Sequence, residues 1–173
     1  MQMVKNIFIA IVVVWLSLVI FMPKSNLYYK LEEELAKQDI KLNEKIIEDR
    51  LFSLHIEDVD IYIKGIYMAT IKEINLFTLL FYSDLSIEKI GLIEPIKNMM
   101  PNGIEIVKIS HSILSPMNLV VDANASLGSI NGLVDLGIRK IRISLDSIKN
   151  INKIKSILKI KKDKNGWYYE TAF

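Results

Sequence analysis

One charge-free apolar run near the amino terminus constrains this chain more than any other feature. Residues 7–22 (IFIAIVVVWLSLVIFM) carry no charge, and Ser17 is the one polar residue among them. A helix needs about twenty apolar residues to cross the hydrocarbon core of a membrane, and Met3 and Val4 extend the run toward that length. The sequence therefore predicts a transmembrane anchor. The anchor residues include Ile7, Val12, Trp15, Leu18 and Phe21.

A cleaved secretory signal peptide is the alternative interpretation of this run, because it also begins with a basic residue followed by an apolar stretch. The run is longer than a usual signal-peptide core, it ends in Met22-Pro23-Lys24, and no pair of small residues forms a cleavage site. These features favour an uncleaved anchor. Because few residues precede the run and Lys5 is basic, we expect a cytoplasmic amino terminus and a domain on the other side of the membrane.

The chain beyond the anchor is long enough for one domain. The 173 residues divide into an amino-terminal segment (1–6), the anchor (7–22) and a region of about 150 residues (23–173), the size of one ordinary domain. The chain contains no cysteine, which excludes disulfides, thiolate catalysis and cysteine metal sites. Basic residues concentrate near the carboxyl terminus; we interpret them as a solvated face, with anionic headgroups or an acidic partner as the alternative.

Two short amphipathic helices are predicted outside the anchor. Ser25 has the character of an N-cap for a helix over residues 26–38, and Asp146 has the same character for a second helix. Each helix has one apolar face that can cover a sheet. The apolar positions are Leu27, Leu31 and Leu35 in the first helix, and Ile148, Ile151, Ile154 and Leu158 in the second.

From Ile40 onward the period of the apolar residues changes to two, which predicts a succession of strands. Phase shifts at Lys72-Glu73 and at Glu88-Lys89 predict β-bulges that restore the inward face. Glu94-Pro95 predicts one helical turn, and Pro101-Asn102-Gly103 predicts a tight turn. The predicted strand segments are 52–56, 58–64, 67–71, 74–81, 85–92, 104–109, 119–127, 130–136, 141–145 and 167–173.

These strands are closely spaced with almost no helix between them, which favours antiparallel pairing. The predicted fold is therefore mainly β: a twisted antiparallel sheet, as a half-open barrel or roll, with the two amphipathic helices. Small residues mark one part of its inward face and allow close approach of a second backbone or, alternatively, of an acyl chain. This candidate packing or ligand face comprises Ala123, Ala125, Gly128, Gly132 and Val134.

Three groups of segments share the order and spacing of a known family. The first is Met22-Pro23-Lys24 followed by LYY at 27–29, and the second is LHIEDVDIYIKGI at 54–66 followed by ATIKEI at 69–74. The third is ASLGSINGLVDL at 125–136, followed by RKIR at 139–142 and GWYYE at 166–170. Together they resemble the type II secretion system protein N family along most of the chain. The family-like positions are Asp58, Asp60, Gly65, Gly132, Asp135, Trp167 and Tyr169.

Members of that family are single-span proteins of the bacterial inner membrane, and their periplasmic part resembles the AsmA-like β-rich proteins. The resemblance implies a periplasmic domain, other membrane or periplasmic secretion subunits as partners, and no catalytic residues. This chain is shorter than many members of the family. A shortened sheet would lack part of a partner surface.

The residues that could carry chemistry are few. His55 and His111 are the two histidines, and a metal site would need a third ligand, so we interpret both as structural. Asp58 and Asp60 share a face, and we interpret them as a solvated edge and not as an acid/base pair.

No serine lies in a nucleophile-elbow context, and no strand-to-helix turn follows the glycines near residue 130 to form a phosphate site. We therefore expect no enzymatic activity, no metal, no cofactor and no nucleic-acid partner.

Two classes of function agree with these patterns. The first is a structural component of a secretion machine, in which the anchor presents the sheet to other subunits. The second is lipid handling, in which an apolar concave face holds acyl chains, as the resemblance to AsmA-like proteins and, more distantly, to the bridge protein of lipopolysaccharide export allows. Helices that cover the inward face would favour the first class, and an uncovered trough would favour the second.

The orientation of the anchor is directly testable. A reporter enzyme that is active only in the periplasm should be active when it is fused after Phe173, and the mature protein should begin at or near Met1. Amino-terminal sequencing of the purified protein checks the second point. A mature amino terminus near Lys24 would show that the run is a cleaved signal peptide.

Overall fold

The chain folds into amino-terminal helices followed by one antiparallel sheet. The structure is a computed structural model that describes residues 2–79, 81–97, 103–125, 128–145, 159–164 and 166–173. The helices in these ranges are α1 (Gln2–Ile20), α2 (Lys24–Ala36) and α3 (Glu94–Lys97). The strands are β1 (Ile40–Asn43), β2 (Ile46–Asp49), β3 (Ser53–Ile63), β4 (Ile66–Thr78), β5 (Tyr82–Leu92), β6 (Ile104–Ser112), β7 (Asn118–Ala125), β8 (Gly128–Asp135), β9 (Lys140–Ser144), β10 (Lys161–Asp163) and β11 (Gly166–Ala172).

α1 is the apolar helix that the sequence predicts. It has 19 residues and a mean hydropathy of 2.4, and only 6% of its most apolar stretch is buried. At 1.5 Å per residue it extends about 28 Å, so it is long and apolar enough to cross a membrane. The helix begins before the apolar run and includes Lys5 and Asn6.

α2 follows after three residues, and its start differs from the prediction. Pro23, not Ser25, occupies the N-cap position, and it makes no side-chain cap hydrogen bond. The backbone N–H of Ser25 instead donates to Oδ2 of Asp49 at the end of β2 (3.2 Å). A carboxylate from a distant strand thus satisfies a free N–H of the first helical turn, which a sequence window cannot show.

The orientation of α2 also differs from the prediction. Lys24 and Tyr28 are its buried residues, whereas Leu27 and Leu31 are about half exposed. Lys24 and Tyr28 are four positions apart and therefore lie on one side of the helix. The attachment of Lys24 to the sheet turns this side, and not the leucine stripe, toward the core.

The sheet is a meander in which nearly every strand pairs with its neighbour in sequence. The order is β1-β3-β4-β5-β6-β7-β8-β9-β11-β10, and β2 also pairs with β3. All pairs are antiparallel, which confirms the predicted fold class. β10 enters by a hairpin with β11 and was not predicted, since its three residues, Lys161 to Asp163, are all charged.

Four neighbouring strands change the face of their inward residues at one level of the sheet. This agrees with the predicted phase shifts but not with the predicted β-bulges, because the register of each pair, such as Glu57/Glu73 and Val59/Ile71, is the same on both sides. Consecutive inward residues are three positions apart, instead of two, in four neighbouring strands, and pairing skips a residue at the same level. Asp58 and Lys89, at two of these places, have positive φ values of 51° and 54°. The register shifts of the described sheet lie at other places, at Ile61/Tyr62 between β3 and β4 and at Ile104/Ile106 between β6 and β7. The inward pairs are Ile56/Val59, Ile71/Ile74, Ile87/Ile90 and Ile104/Val107.

Several boundaries differ from the predicted ones. β4 is one strand that ends at Thr78, so Phe81 lies in the turn to β5 and not in a strand. α3 is the predicted single helical turn after Glu94. Gly103 precedes β6 with φ +65°, and a Cβ there would lie 2.2 Å from the carbonyl oxygen of Ile90, so this position requires glycine. The predicted helix from Asp146 to Leu158 lies outside the described residues.

A buried ion pair joins α1, α2 and the sheet. The side chain of Lys24 is 2% exposed, and its Nζ lies 3.0 Å from Oδ1 of Asp49. The same Nζ donates to the carbonyl oxygens of Met22 and Leu51, each at 3.3 Å. Burial raises the pKa of Asp49, but hydrogen bonds from Lys24 and Ser25 outweigh it, so the pKa is lowered overall. The cation is thus bound to the helix junction, to β2 and to the turn before β3.

Replacement of either partner should destabilise the protein, and the two losses should differ. Lys24→Met removes the cation and should cost about 2 kcal/mol of unfolding free energy. Asp49→Asn leaves a buried ammonium without its counter-ion and should cost more, about 3 kcal/mol. Chemical denaturation of the full chain in detergent measures both. Lys37→Met, which breaks an exposed pair with Glu34, is the control and should change stability by less than about 0.5 kcal/mol. An equal, small loss in all three variants would contradict this role.

Candidate functional site

The inner face of the sheet is formed by apolar rows that run across the strands. Strand register defines the rows, because directly paired residues lie on the same face. The first of three such rows is Leu54, Leu76, Leu85, Ile109, Val121, Gly132, Ile143 and Tyr169. The second is Ile56, Ile74, Ile87, Val107, Ala123 and Ile130, and the third is Val59, Ile71, Ile90, Ile104, Ala125 and Gly128.

α2 covers only the beginning of this face. It contacts β1, β2 and β3, and Tyr28 packs in the core with Leu54, Ile56, Val59 and Ile71. The Tyr28 hydroxyl lies 3.5 Å from Oε2 of Glu44, and burial, followed by the charge of Glu44, raises its pKa. The structure thus places Tyr28 in the core.

A cavity of ≈ 360 Å³ lies between α2 and β3–β5. Its size falls in the range of small-molecule sites, and its lining is almost entirely apolar, so it suits an apolar chain and not a polar metabolite. Leu27 and Leu31 lie at its edge and are 48% and 54% exposed. The lining residues are Leu27, Tyr28, Leu31, Leu42, Leu54, Ile56, Val59, Ile71, Ile74, Leu76, Leu85 and Ile87.

The small-residue face predicted from the sequence lies elsewhere on the same side of the sheet. Ala123 and Ala125 on β7 and Gly128, Gly132 and Val134 on β8 all point inward and are half-buried. None of them lines the cavity. A Cβ at Gly132 would lie 3.4 Å from Cβ of Val121 and 3.6 Å from the carbonyl oxygen of Arg142, which are ordinary contacts.

The family-like positions are distributed over the sheet and do not form one site. Asp58 lies 3.0 Å from Nζ of Lys45 and 2.7 Å from Nζ of Lys72, and the hydrogen bonds from Lys72 and Lys45 lower its pKa. Asp60 accepts a hydrogen bond from Thr70 on β4. Both aspartates therefore share the outer face, as predicted. They do not lie on a sheet edge, however, because β3 is paired with β1 and β2 on one side and with β4 on the other.

The remaining family-like positions are turn and strand residues. Gly65 has φ +78° in the turn between β3 and β4. Oδ1 of Asp135 accepts hydrogen bonds from the backbone N–H groups of Gly137 (2.9 Å) and Ile138 (3.1 Å), which closes the turn after β8. Tyr169 on β11 pairs with Ile143 in the first row, and the ring of Trp167 lies 5.4 Å from Nζ of Lys162.

His55 is at the centre of a polar cluster on the outer face of β3 and β4. Its Nε2 lies 2.8 Å from Oε1 of Glu57, and its Nδ1 lies 2.6 Å from Oδ1 of Asn75. Nδ2 of Asn75 donates to Oε1 of Glu73 (2.7 Å), which directs its oxygen toward the ring. Both ring nitrogens thus face acceptors, so the doubly protonated imidazolium satisfies both contacts. The hydrogen bond with Glu57, then that with Asn75, raises the pKa of His55.

The two histidines do not act together. His111 on β6 pairs with Leu119 in a row of the inner face, and its Nε2 lies 3.1 Å from the carbonyl oxygen of Pro116. His55 lies on the opposite face. In the part of the chain that the structure describes, no group of three His, Asp or Glu residues could hold a metal ion.

The anchor residues lie on an exposed helix, and one of them, Trp15, contacts the turn between β4 and β5. Ile7, Leu18 and Phe21 are largely exposed, whereas Val12 and Trp15 are partly covered. The Trp15 ring stacks on the ring of Phe81, with centroids 6.0 Å apart and an interplanar angle of 6°. Phe81 lies in the turn between β4 and β5, so this turn reaches alongside α1.

Sequence reasoning missed the two residues that join the parts of the chain, Lys24 and Asp49. Their roles depend on a contact between positions 25 residues apart. The one available signal was a lysine directly after an apolar run, and that signal is also typical of an ordinary membrane boundary. No protein-family model, curated protein or solved structure matches this chain.

The protonation of His55 predicts a pH dependence of stability. Its folded-state pKa is raised above the unfolded value of about 6.5, so its contribution is fully present below that pH and is lost as the pH rises through the folded-state pKa. The unfolding free energy of the full chain in detergent should therefore decrease from about pH 6 upward.

Two variants isolate this effect. His55→Gln keeps a neutral donor toward Glu57 and should remove most of the decrease, which denaturation curves at several pH values would show. His111→Gln is the matched control and should keep the decrease. The same pH dependence in His55→Gln as in the wild type would assign it to another group.

Proposed function

We propose that this chain is a non-enzymatic, membrane-anchored component of a protein secretion apparatus, with a role similar to that of type II secretion system protein N. In this proposal α1 crosses the bacterial inner membrane with its short amino terminus in the cytoplasm. The sheet lies in the periplasm and presents a surface to other secretion subunits. The segments that resemble the family support this proposal, since they correspond to β3, β4, β8 and β11.

The joint between the anchor and the sheet is the observation that carries the proposal. Only three residues separate α1 from α2, and the buried Lys24 binds the junction to Asp49 and to the carbonyl oxygen of Leu51. A sheet held in this way keeps a defined height and direction relative to the bilayer. A subunit that must meet partners in two layers of the envelope needs this property.

The partner surface is a face of the sheet and not an edge. The outermost strands among the described residues are short, with four residues in β1 and in β2 and three in β10. They also carry charges, including Lys41, Glu48, Lys161 and Lys162. Short, charged edges disfavour addition of a strand from another chain, so a partner would pack against the sheet from one side.

A second candidate function is binding of an acyl chain, and the apolar cavity under α2 favours it. An apolar cavity excludes water and binds apolar ligands, and this one lies beside the end of the sheet that contacts α1. In this alternative the chain would hold one tail of a membrane lipid between Leu31 and the first two rows of the inner face.

Deletion of the gene tests the secretion proposal. Secreted proteins should accumulate in the periplasm of the deletion strain, and their amount in the medium should decrease several-fold. The wild-type chain should restore secretion, and a variant with both His55→Asn and His111→Asn should restore it equally, because no covalent chemistry is involved. Unchanged secretion in the deletion strain would contradict the proposal, and loss of function in a folded double variant would indicate a chemical role.

Lipid analysis of the purified full chain tests the alternative. If the cavity binds an acyl chain, phospholipid should co-purify with the wild type and be lost in Leu31→Trp, which fills the cavity from a half-exposed position. Gly132→Leu is the matched control, because it adds an apolar side chain to the same face outside the cavity. Loss of lipid in Gly132→Leu alone would show that lipid binds at the small-residue face on β7 and β8 and not in the cavity.

A further inference from the structure

The turns at one end of the sheet expose large apolar side chains. Strand directions place the turns β2–β3, β4–β5, β6–β7 and β8–β9, together with the end of β11, at the same end. Each of them contributes at least one apolar residue that is more than 40% exposed, and Leu114 is 91% exposed. We call these residues the apolar rim: Leu51, Phe81, Ile113, Leu114, Met117, Leu136, Ile138 and Phe173.

Backbone hydrogen bonds connect the rim into a continuous border. The N–H of Ile113 donates to the carbonyl oxygen of Phe81 (2.9 Å), and the N–H of Leu136 donates to that of Met117 (2.7 Å). Neighbouring strands are about 4.8 Å apart, so the rim extends about 20 Å from the β4–β5 turn to the β8–β9 turn. Contiguous exposed apolar surface of this extent is typical of an interaction site.

The rim lies at the end of the sheet where α1 is attached. Phe81 stacks on Trp15, and Leu51 accepts the hydrogen bond from Lys24. Trp15 precedes the last residue of α1 by five positions, which corresponds to about 7 Å along the helix axis. When α1 spans a bilayer, Phe81 therefore lies inside the apolar layer, deeper than the point at which α1 leaves it.

We propose that the apolar rim inserts into the leaflet from which α1 emerges, so that the turns at this end of the sheet, and not its faces, enter the bilayer. The partner is the acyl region beneath the lipid headgroups. Depths of about 5–10 Å are typical of interfacial apolar segments, and the position of Phe81 beside Trp15 agrees with this depth. The inference rests on α1 as a membrane anchor, but it does not require a secretion partner.

The opposite end of the sheet provides the comparison. Its described turns contain polar residues such as Lys64, Glu94 and Lys97, and beside the β3–β4 turn Ile66 is more exposed than its apolar neighbours Ile63 and Tyr67. Ile66 is 64% exposed, so a label there tests whether any exposed apolar position would enter the membrane. The chain has no native cysteine, which allows single labels at chosen sites.

Depth measurement by nitroxide labelling tests the proposal. The full chain would be reconstituted in vesicles of phosphatidylethanolamine and phosphatidylglycerol, with labels at Leu114→Cys, Ile66→Cys or Ser17→Cys. Collision with oxygen, which concentrates in the acyl layer, would be compared with collision with a water-soluble nickel chelate. We expect the oxygen-to-nickel ratio at position 114 to be several-fold higher than at position 66 and closer to that at position 17.

Each other outcome has a defined meaning. A nickel accessibility at position 114 equal to that at position 66, with position 17 in the acyl layer, would overturn the rim proposal and leave the anchor intact. High nickel accessibility at position 17 would overturn the anchor and the rim together. Oxygen accessibility at both 114 and 66 would show that the sheet lies flat on the membrane, which also contradicts insertion by the turns.

Discussion

The buried ammonium of Lys24 is the contact on which the arrangement of this molecule depends. It lies where α1 ends and α2 begins, and it binds Asp49 of β2 and the carbonyl oxygen of Leu51. An ion pair with one fully buried partner requires nearly complete hydrogen bonding, and Lys24 has three oxygen partners. The apolar helix α1 is therefore attached to the sheet by defined geometry and not by a free linker.

The position of α2 and the two faces of the sheet depend on two further local features. The attachment of Lys24 turns Tyr28 into the core and leaves Leu27 and Leu31 at the edge of the apolar cavity. The aligned phase shifts keep isoleucine and valine inward on four strands while they place adjacent charged residues outward. Asp58 and Lys72, which pair at 2.7 Å, occupy such positions. The phase shifts thus produce both the apolar rows and the charged outer face.

Local patterns predicted most of this fold, and long-range contacts account for what they missed. The period of two and the shifts at Lys72-Glu73 and Glu88-Lys89 are visible in the sequence, because each shift puts two polar residues side by side. The cavity, the His55 cluster and the apolar rim depend on which strand ends meet, and register decides this. A single sequence does not show that Phe81 meets Trp15 or that Asn75 orients its oxygen toward His55.

A distance measurement across the joint tests the central claim most directly. Nitroxide labels at Leu18→Cys in α1 and Ile138→Cys in the β8–β9 turn are both at exposed positions. Pulsed electron paramagnetic resonance of the doubly labelled full chain in vesicles should give one narrow distance distribution, and additional Lys24→Met should broaden it. A broad distribution without the Lys24 substitution would contradict an anchor and a sheet held as one unit.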